Sequence, residues 1–144
     1  MAITLAHTVI ANATAIPSAE SVIASSPVVY ASVIEAPTLN VAQPGGGQTR
    51  LKIVADINLL AGTGTTAVVI KIRQGTSVAG AQVGSSATVT LAATNNGTAH
   101  IEVEDDSGYA SGPAGGQYCV TLTQTGGSAN GSVNIGKLEV QTIP

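Results

Sequence analysis

Aromatic side chains are nearly absent from this chain of 144 residues, which has no Phe, no Trp and three Tyr. Sugar subsites of glycosidases and lectins commonly use flat aromatic platforms, so this composition argues against a subsite of that kind. The apolar 44% of the chain must build its core from Val, Ile, Leu and Ala. Because β-branched residues favour strands, the composition favours an all-β fold.

Charge is also scarce: 9% of the residues are charged, against about 25% in ordinary soluble domains. The net charge of −3 and the thin spread of five basic residues argue against a nucleic-acid partner, which needs clustered Lys and Arg. Arg50 with Lys52, and Lys71 with Arg73, could each share one strand face. A solvated strand face is the simpler interpretation of both pairs.

Cysteine is limited to Cys119, so the chain cannot form an internal disulfide. Its strand-like surroundings, "YCVTLT", predict a buried and inert thiol. The first residues lack the basic region of a secretory leader, and no apolar run reaches about 18 residues. We therefore expect neither a cleaved signal nor a membrane span.

Short strands with period-two alternation dominate the chain from Thr49 onward. In "LKIVADINLL", residues 51–60, apolar side chains occupy every second position from Leu51 to Leu59. "TAHIEVE" predicts Ala99, Ile101 and Val103 inward, with His100 between them facing outward. Seven or eight such strands, turns every eight to twelve residues and no helical periodicity predict an antiparallel β-sandwich or jelly roll.

The last predicted strand, "SVNIGKLEVQTI", changes its alternation partway along. Val133 and Ile135 share one parity, whereas Leu138 and Val140 share the other. A slip of one residue would send the later side chains to the wrong face of the sheet. A β-bulge at Gly136 would restore the register, so the sequence predicts one there.

The first 45 residues are apolar but are interrupted by Pro at 17, 27, 37 and 44. Proline cannot donate to a strand ladder, so no long regular element fits, yet the stretch is too apolar for a disordered tail. Residues 1–20 are predicted to form an extended arm, and residues 21–144 the sandwich. The alternative is that the first residues supply strands to the same sandwich. The arm's predicted partner-binding residues are Ile3, Leu5, Val9, Ile10 and Ile16.

Residues that could contact a ligand gather in the loop after the acidic strand. Asp105 and Asp106 lead into "SGYASG", where Tyr109 is the aromatic side chain best placed for presentation. Structural anchoring of the loop by Tyr109 is the competing interpretation. The spacing of a calcium-binding EF-hand is missing, and charge at a strand end is usually only solvated. No catalytic residues, cofactor or metal are predicted, and we expect the protein not to be an enzyme.

The region from Thr49 to Pro144 resembles the small jelly-roll modules of tailed-phage virions, the decoration or head-fibre type that is similar to tumour necrosis factor trimers. The segments that carry the resemblance are "TRLKIVADINL", "TTAVVIKIRQGTSVAGAQVG", "GQYCVTLTQTGG" and "GSVNIGKLEVQTIP". The resemblance implies trimers around an apolar three-fold axis and N-terminal segments that anchor on the capsid or on a neighbour. Trimers of this type usually stack aromatic residues at the axis, whereas this chain could offer only aliphatic ones.

These observations together predict a structural protein of the virion surface, made in the host cytoplasm. The expected function is capsid decoration. The expected partners are further copies of the chain, which would form a homotrimer, and the major capsid protein. Burial of poorly charged strand edges by closed oligomerisation fits this expectation. The alternative function is a receptor- or carbohydrate-binding module of a phage fibre, which would use loops 74–85 and 105–117.

Overall fold

The computed structural model describes residues 4–29, 50–63, 66–111, 115–125 and 131–143. The strands are β1 (Thr4–Ala15), β2 (Ser21–Ser25), β3 (Leu51–Leu60), β4 (Thr66–Gln74), β5 (Gln82–Leu91), β6 (Asn96–Asp105), β7 (Tyr118–Thr125) and β8 (Ser132–Thr142). Within these ranges the helical structure is one 3₁₀ turn at Tyr109–Ser111. No helix of the described ranges has the length and apolar character to cross a membrane.

The strands form two antiparallel four-stranded sheets that pack face to face. The first sheet has the order β1-β8-β3-β6, and the second has the order β2-β7-β4-β5. Strands pair in a nested way, β1 with β8, β2 with β7, β3 with β6 and β4 with β5. This nested pairing is the arrangement of a jelly roll. The predicted antiparallel β-sandwich is confirmed.

The core between the sheets is aliphatic, as the composition predicts. Alternate residues of β3 point inward, and Ile53, Ala55 and Ile57 are fully buried. Ile101 and Val103 of β6 face them across the ladder, while His100 is exposed as predicted. Tyr118 adds a large aromatic side chain to this core and is fully buried.

The irregularity predicted at Gly136 is present. Asp56 of β3 is opposite Lys137, but the next residue, Ile57, is opposite Ile135, so Gly136 is the extra residue of a β-bulge. Because of the bulge, Ile135 and Leu138 both reach the core with no exposed surface. The predicted bulge is confirmed.

The N-terminal residues 4–15 form β1, an edge strand of the first sheet. After β1, Ile16 donates its N–H to Gly131 O at 3.0 Å, and Pro17 O accepts from Gln124 N. Residues 4–15 therefore lie in the chain's own first sheet, where they pair with β8. Engagement of another subunit by residues 1–20 concerns assembly and stays a prediction.

The five predicted arm residues differ in what they present. Ile16 is buried in the chain's own core, and Leu5 and Ile10 are half-buried against that core. Val9 is 51% exposed, and its contact with a partner stays a prediction. Ile3 lies outside the described residues.

Candidate functional site

Charge is concentrated on the outer face of the first sheet, called here the charged face. Register places Lys52 beside Glu104, Asp56 beside His100 and Lys137, and Glu102 and Glu139 on either side of Val54. Arg50 extends the face through an exposed pair with Glu104 at 2.8 Å. Ion pairs this exposed stabilise a fold weakly, so the face is mainly a solvated surface.

His100 occupies the middle of the charged face between two carboxylates. Its Nδ1 contacts Asp56, and its Nε2 lies 3.2 Å from Glu102 Oε1. The hydrogen bond with Asp56, and then the one with Glu102, raise the pKa of His100. Lys137 Nζ lies 3.8 Å from the other Asp56 oxygen, so Asp56 is paired on both sides.

The outer face of the second sheet is divided into a covered half and an open half. Loop 75–81 lies over the covered half, where Cys119 has no exposed surface and its Sγ is 3.9 Å from Ser77 O. The predicted burial of Cys119 is confirmed by its lack of exposed surface, and this burial raises the pKa of its thiol. The open half carries no charged side chain and consists of Ala67, Val69, Thr88, Thr90, Thr123 and Thr125.

A bidentate ion pair between Arg73 and Glu20 stabilises the covered half. Arg73 Nε and Nη2 donate to the two Glu20 oxygens at 2.6 and 3.0 Å, and Nη1 donates to Gly80 O at 2.9 Å. Thr121 Oγ1 donates to Glu20 Oε1 at 2.6 Å. The hydrogen bonds from Arg73 and then Thr121 lower the pKa of Glu20 to about 2. Arg73 is therefore not a free cation of a basic patch, and the solvated interpretation of its strand face is wrong at this position.

Replacing Arg73 with Met should lower the free energy of unfolding by about 2 kcal/mol at pH 7, because Glu20 then loses its charged partner. The pKa of Glu20 is depressed from 4.5, so the contribution of the pair is complete above pH 4.5 and is lost as the pH falls toward 2. Urea titrations across this range should show the difference between variant and wild type shrinking in acid. Arg50→Met removes the exposed pair with Glu104 and should change stability by less than about 0.5 kcal/mol. Equal effects of the two variants would contradict the assignment.

Asp105 is not a solvated residue of the acidic run, since it is 6% exposed and lies at the end of the core. Its Oδ2 accepts from Tyr118 Oη at 2.7 Å and from Gln74 Nε2 at 3.0 Å, and its Oδ1 accepts from Ser107 N at 3.0 Å. Burial, the largest single influence, favours a raised pKa, but hydrogen bonds from Ser107, Tyr118 and Gln74 together lower it. Asp105 therefore organises a buried polar cluster.

Tyr109 packs onto the same cluster. Its ring meets that of Tyr118 edge-on with centroids 5.5 Å apart, and its hydroxyl accepts a hydrogen bond from Gln117 N at 3.4 Å. These contacts support the interpretation that Tyr109 anchors the loop. Asp106 is exposed and lies outside the cluster. Ligand contact by Asp105, Asp106 or Tyr109 stays a prediction.

A depression on the outer face of the first sheet, called here the asparagine trough, encloses about 410 Å³. Two cross-strand rows form its floor: Thr98, Asn58 and Asn134 in one, and Asn96, Leu60 and Ser132 in the other. Ala13 of β1 lines its side. Asn58 and Thr98 also line an adjoining depression of about 250 Å³ that leads to Asp56 and His100.

Neither the trough nor the Glu20–Arg73 pair is evident from single strands. Asn58, Thr98 and Asn134 come from three strands, and only the pairing register brings them side by side. The signal that the sequence did offer is that each of these residues occupies an outward-facing position of its own strand. Within the described ranges, no three or more His, Cys, Asp or Glu side chains are grouped to hold a metal ion.

No family model matches this chain, and no curated protein matches it.

Proposed function

We propose that this chain is a structural protein of a virion, a decoration protein that associates with copies of itself and attaches to the capsid through its N-terminal residues. The observation that carries the proposal is the exposure of the edge strand β1. Residues 11–15 of β1 are all exposed, although alternate positions of a sandwich strand are normally buried. Among the described residues no strand pairs with the outer edge of β1, and an exposed segment of this kind is suited to receive a partner.

The chemistry of β1 supports the same function. No Asp, Glu, Lys or Arg occurs between Thr4 and Ala15, and Val9 projects an exposed apolar side chain. Edge strands of monomeric proteins are usually protected by charge or by shortness. In this chain, the edge strand β6 carries Glu102 and Glu104, and the edge strand β2 has five residues. By comparison, β1 is long and unprotected, as is the remaining edge strand β5, which has ten uncharged residues.

The open half of the second sheet's outer face supports self-association. Val69 and Ala67 lie between rows of Thr side chains on β5 and β7, and the nearest charge on this side of β4 is Lys71, beside Thr121 at the border of the open half. Desolvating hydroxyl groups costs less than desolvating charges, so such a surface can be buried between subunits. A closed oligomer would bury this half-face without leaving further edges to grow.

The test places single lysines on β1, because deleting residues 1–20 would also remove a strand from the chain's own sheet. Val9→Lys and Ala13→Lys should leave the circular dichroism spectrum unchanged, since both positions are exposed. Particles of the virus that encodes the sequence should bind the wild-type chain in a sedimentation assay and bind either variant at least 10-fold more weakly. Asn95→Lys, in the exposed β5–β6 turn, is the control and should bind normally.

Self-association is read separately by light scattering. Wild type should have the mass of an oligomer, expected to be a trimer, and Thr88→Lys on the open half-face should be a folded monomer. A wild-type monomer would overturn the self-association. Normal particle binding by both β1 variants would overturn attachment through the N-terminal strand.

A further inference from the structure

We propose that the asparagine trough is a binding site for a neutral saccharide. The site lies on the opposite sheet from the open half-face and does not depend on attachment to a capsid. It also differs from loops 74–85 and 105–117. Its volume of about 410 Å³ falls within the range of small-molecule sites.

Within the described part of the chain, most of the hydrogen-bonding capacity of Asn58 and Asn134 is unused. Asn58 Nδ2 donates to Asn134 Oδ1 at 2.7 Å, and this is the side-chain hydrogen bond that the two amides make within the described part of the chain. Each amide has two N–H donors and an oxygen with two lone pairs. Two donors of Asn134, one of Asn58 and the Asn58 oxygen therefore remain for a ligand.

The arrangement of these amides suits hydroxyl groups. Side chains of adjacent strands in a row lie about 5 Å apart, so Thr98, Asn58 and Asn134 present donors and acceptors in a closely spaced line. A sugar hydroxyl both donates and accepts, as each amide does. A row of this kind can therefore satisfy successive hydroxyls of one ring without a change in protonation.

The absence of charge in the trough's lining selects a neutral ligand. All its polar lining groups are amides and hydroxyls, and Asp56 and His100 belong to the adjoining depression. An anionic ligand would lose its hydration without gaining a cation inside the trough.

The trough also offers an apolar surface for the C–H face of a sugar. Leu60 is 43% exposed at the centre of the second row, and Ala13 lines the side. Such aliphatic groups provide less contact than an aromatic ring, so the site is weaker than an aromatic-stacking subsite. For one hexose a dissociation constant on the order of 1 mM is expected.

The experiment is an NMR titration of the purified, ¹⁵N-labelled full chain with maltose, cellobiose, lactose and diacetylchitobiose. At least one sugar should shift the amide signals of residues 58, 96–98 and 132–134 in a saturable way. Asn58→Ala and Asn134→Ala should each weaken that sugar at least 10-fold. Thr88→Ala, on the opposite sheet, should bind as wild type, and all variants should keep a dispersed spectrum.

Three results would overturn the proposal. The first is the absence of saturable shifts at these residues with all four sugars. The second is unchanged affinity in both asparagine variants. The third is tighter binding of 3′-sialyllactose than of lactose, which would mean that the site prefers an anion. Because the titration uses no viral particle, its failure would leave the decoration function to its own tests.

Discussion

Replacing Asp105 with Ala should lower the free energy of unfolding by about 3–4 kcal/mol, because the buried Tyr118 hydroxyl and two part-buried donors lose their acceptor. Tyr118 Oη, Gln74 Nε2 and Ser107 N all donate to this carboxylate, and Tyr118 has no exposed surface from which to recruit water. A buried donor left unsatisfied costs about 1–3 kcal/mol, and the sum stays near the lower end because Ser107 can recruit water and Gln74 Nε2 keeps its bond to Ser107 Oγ. Urea denaturation at pH 7 measures the effect.

The neighbouring Asp106 provides a matched control. It has the same side chain and nearly the same position in the chain, but it is exposed, so Asp106→Ala should change stability by less than about 0.5 kcal/mol.

The pKa of Asp105 is lowered from 3.8, so its ionised form stabilises the fold above about pH 4, and that contribution is lost at lower pH. The difference between Asp105→Ala and wild type should therefore shrink in acid. Equal losses for the two Asp variants would contradict a buried cluster.

The cluster also shows what alternation in the sequence could predict and what it left out. Asp105 has the parity of Ile101 and Val103, so the inward position was written in the strand pattern. As an aspartate, however, Asp105 was expected to be exposed to solvent, because an ionised carboxylate is rarely buried without partners. The partners Tyr118 and Gln74 come from β7 and β4, and pairing of distant strands decides whether they are present. Local patterns therefore predicted the strand but not the fate of its last residue.

Strands β3, β4, β6 and β8 were predictable because each buries alternate residues, which makes the period-two signal strong. In β1 the signal is weak, since register shifts separate Thr4 from Ala6 and Ile10 from Thr14, and residues 11–15 are exposed on both faces. Without a regular buried face, the sequence indicated an arm as readily as a strand. Glu20 and Arg73 likewise form their pair across 53 positions, a separation that no local pattern connects.

Deleting Gly136 should have the largest effect of any single change considered for this fold. The bulge lets β8 present Ile135 and Leu138 to the same core, so removing its extra residue forces one half of the strand to change faces. If residues 137–142 keep their register, Val133 and Ile135 turn toward solvent and Asn134 turns inward. Exposing the two aliphatic side chains costs about 1.5–3 kcal/mol each, and burying the amide adds to that.

The total is comparable with the whole stability of a domain of this size, so we expect the deletion variant to lack a cooperative thermal transition. Gly136→Ala is the control, because it keeps the chain length. The nearest atom to an added Cβ would be Asn58 Nδ2 at 3.4 Å, an ordinary contact, so stability should stay within about 1 kcal/mol of wild type.

If the deletion variant unfolded cooperatively with nearly wild-type stability, the register of β8 would be set by its turns rather than by its buried face. If Gly136→Ala also failed to fold, the backbone at the bulge, rather than the number of residues, would be the constraint. The expected difference between the two variants follows because a bulge is specified by counting residues, and side-chain chemistry at the extra position matters little where that residue faces solvent.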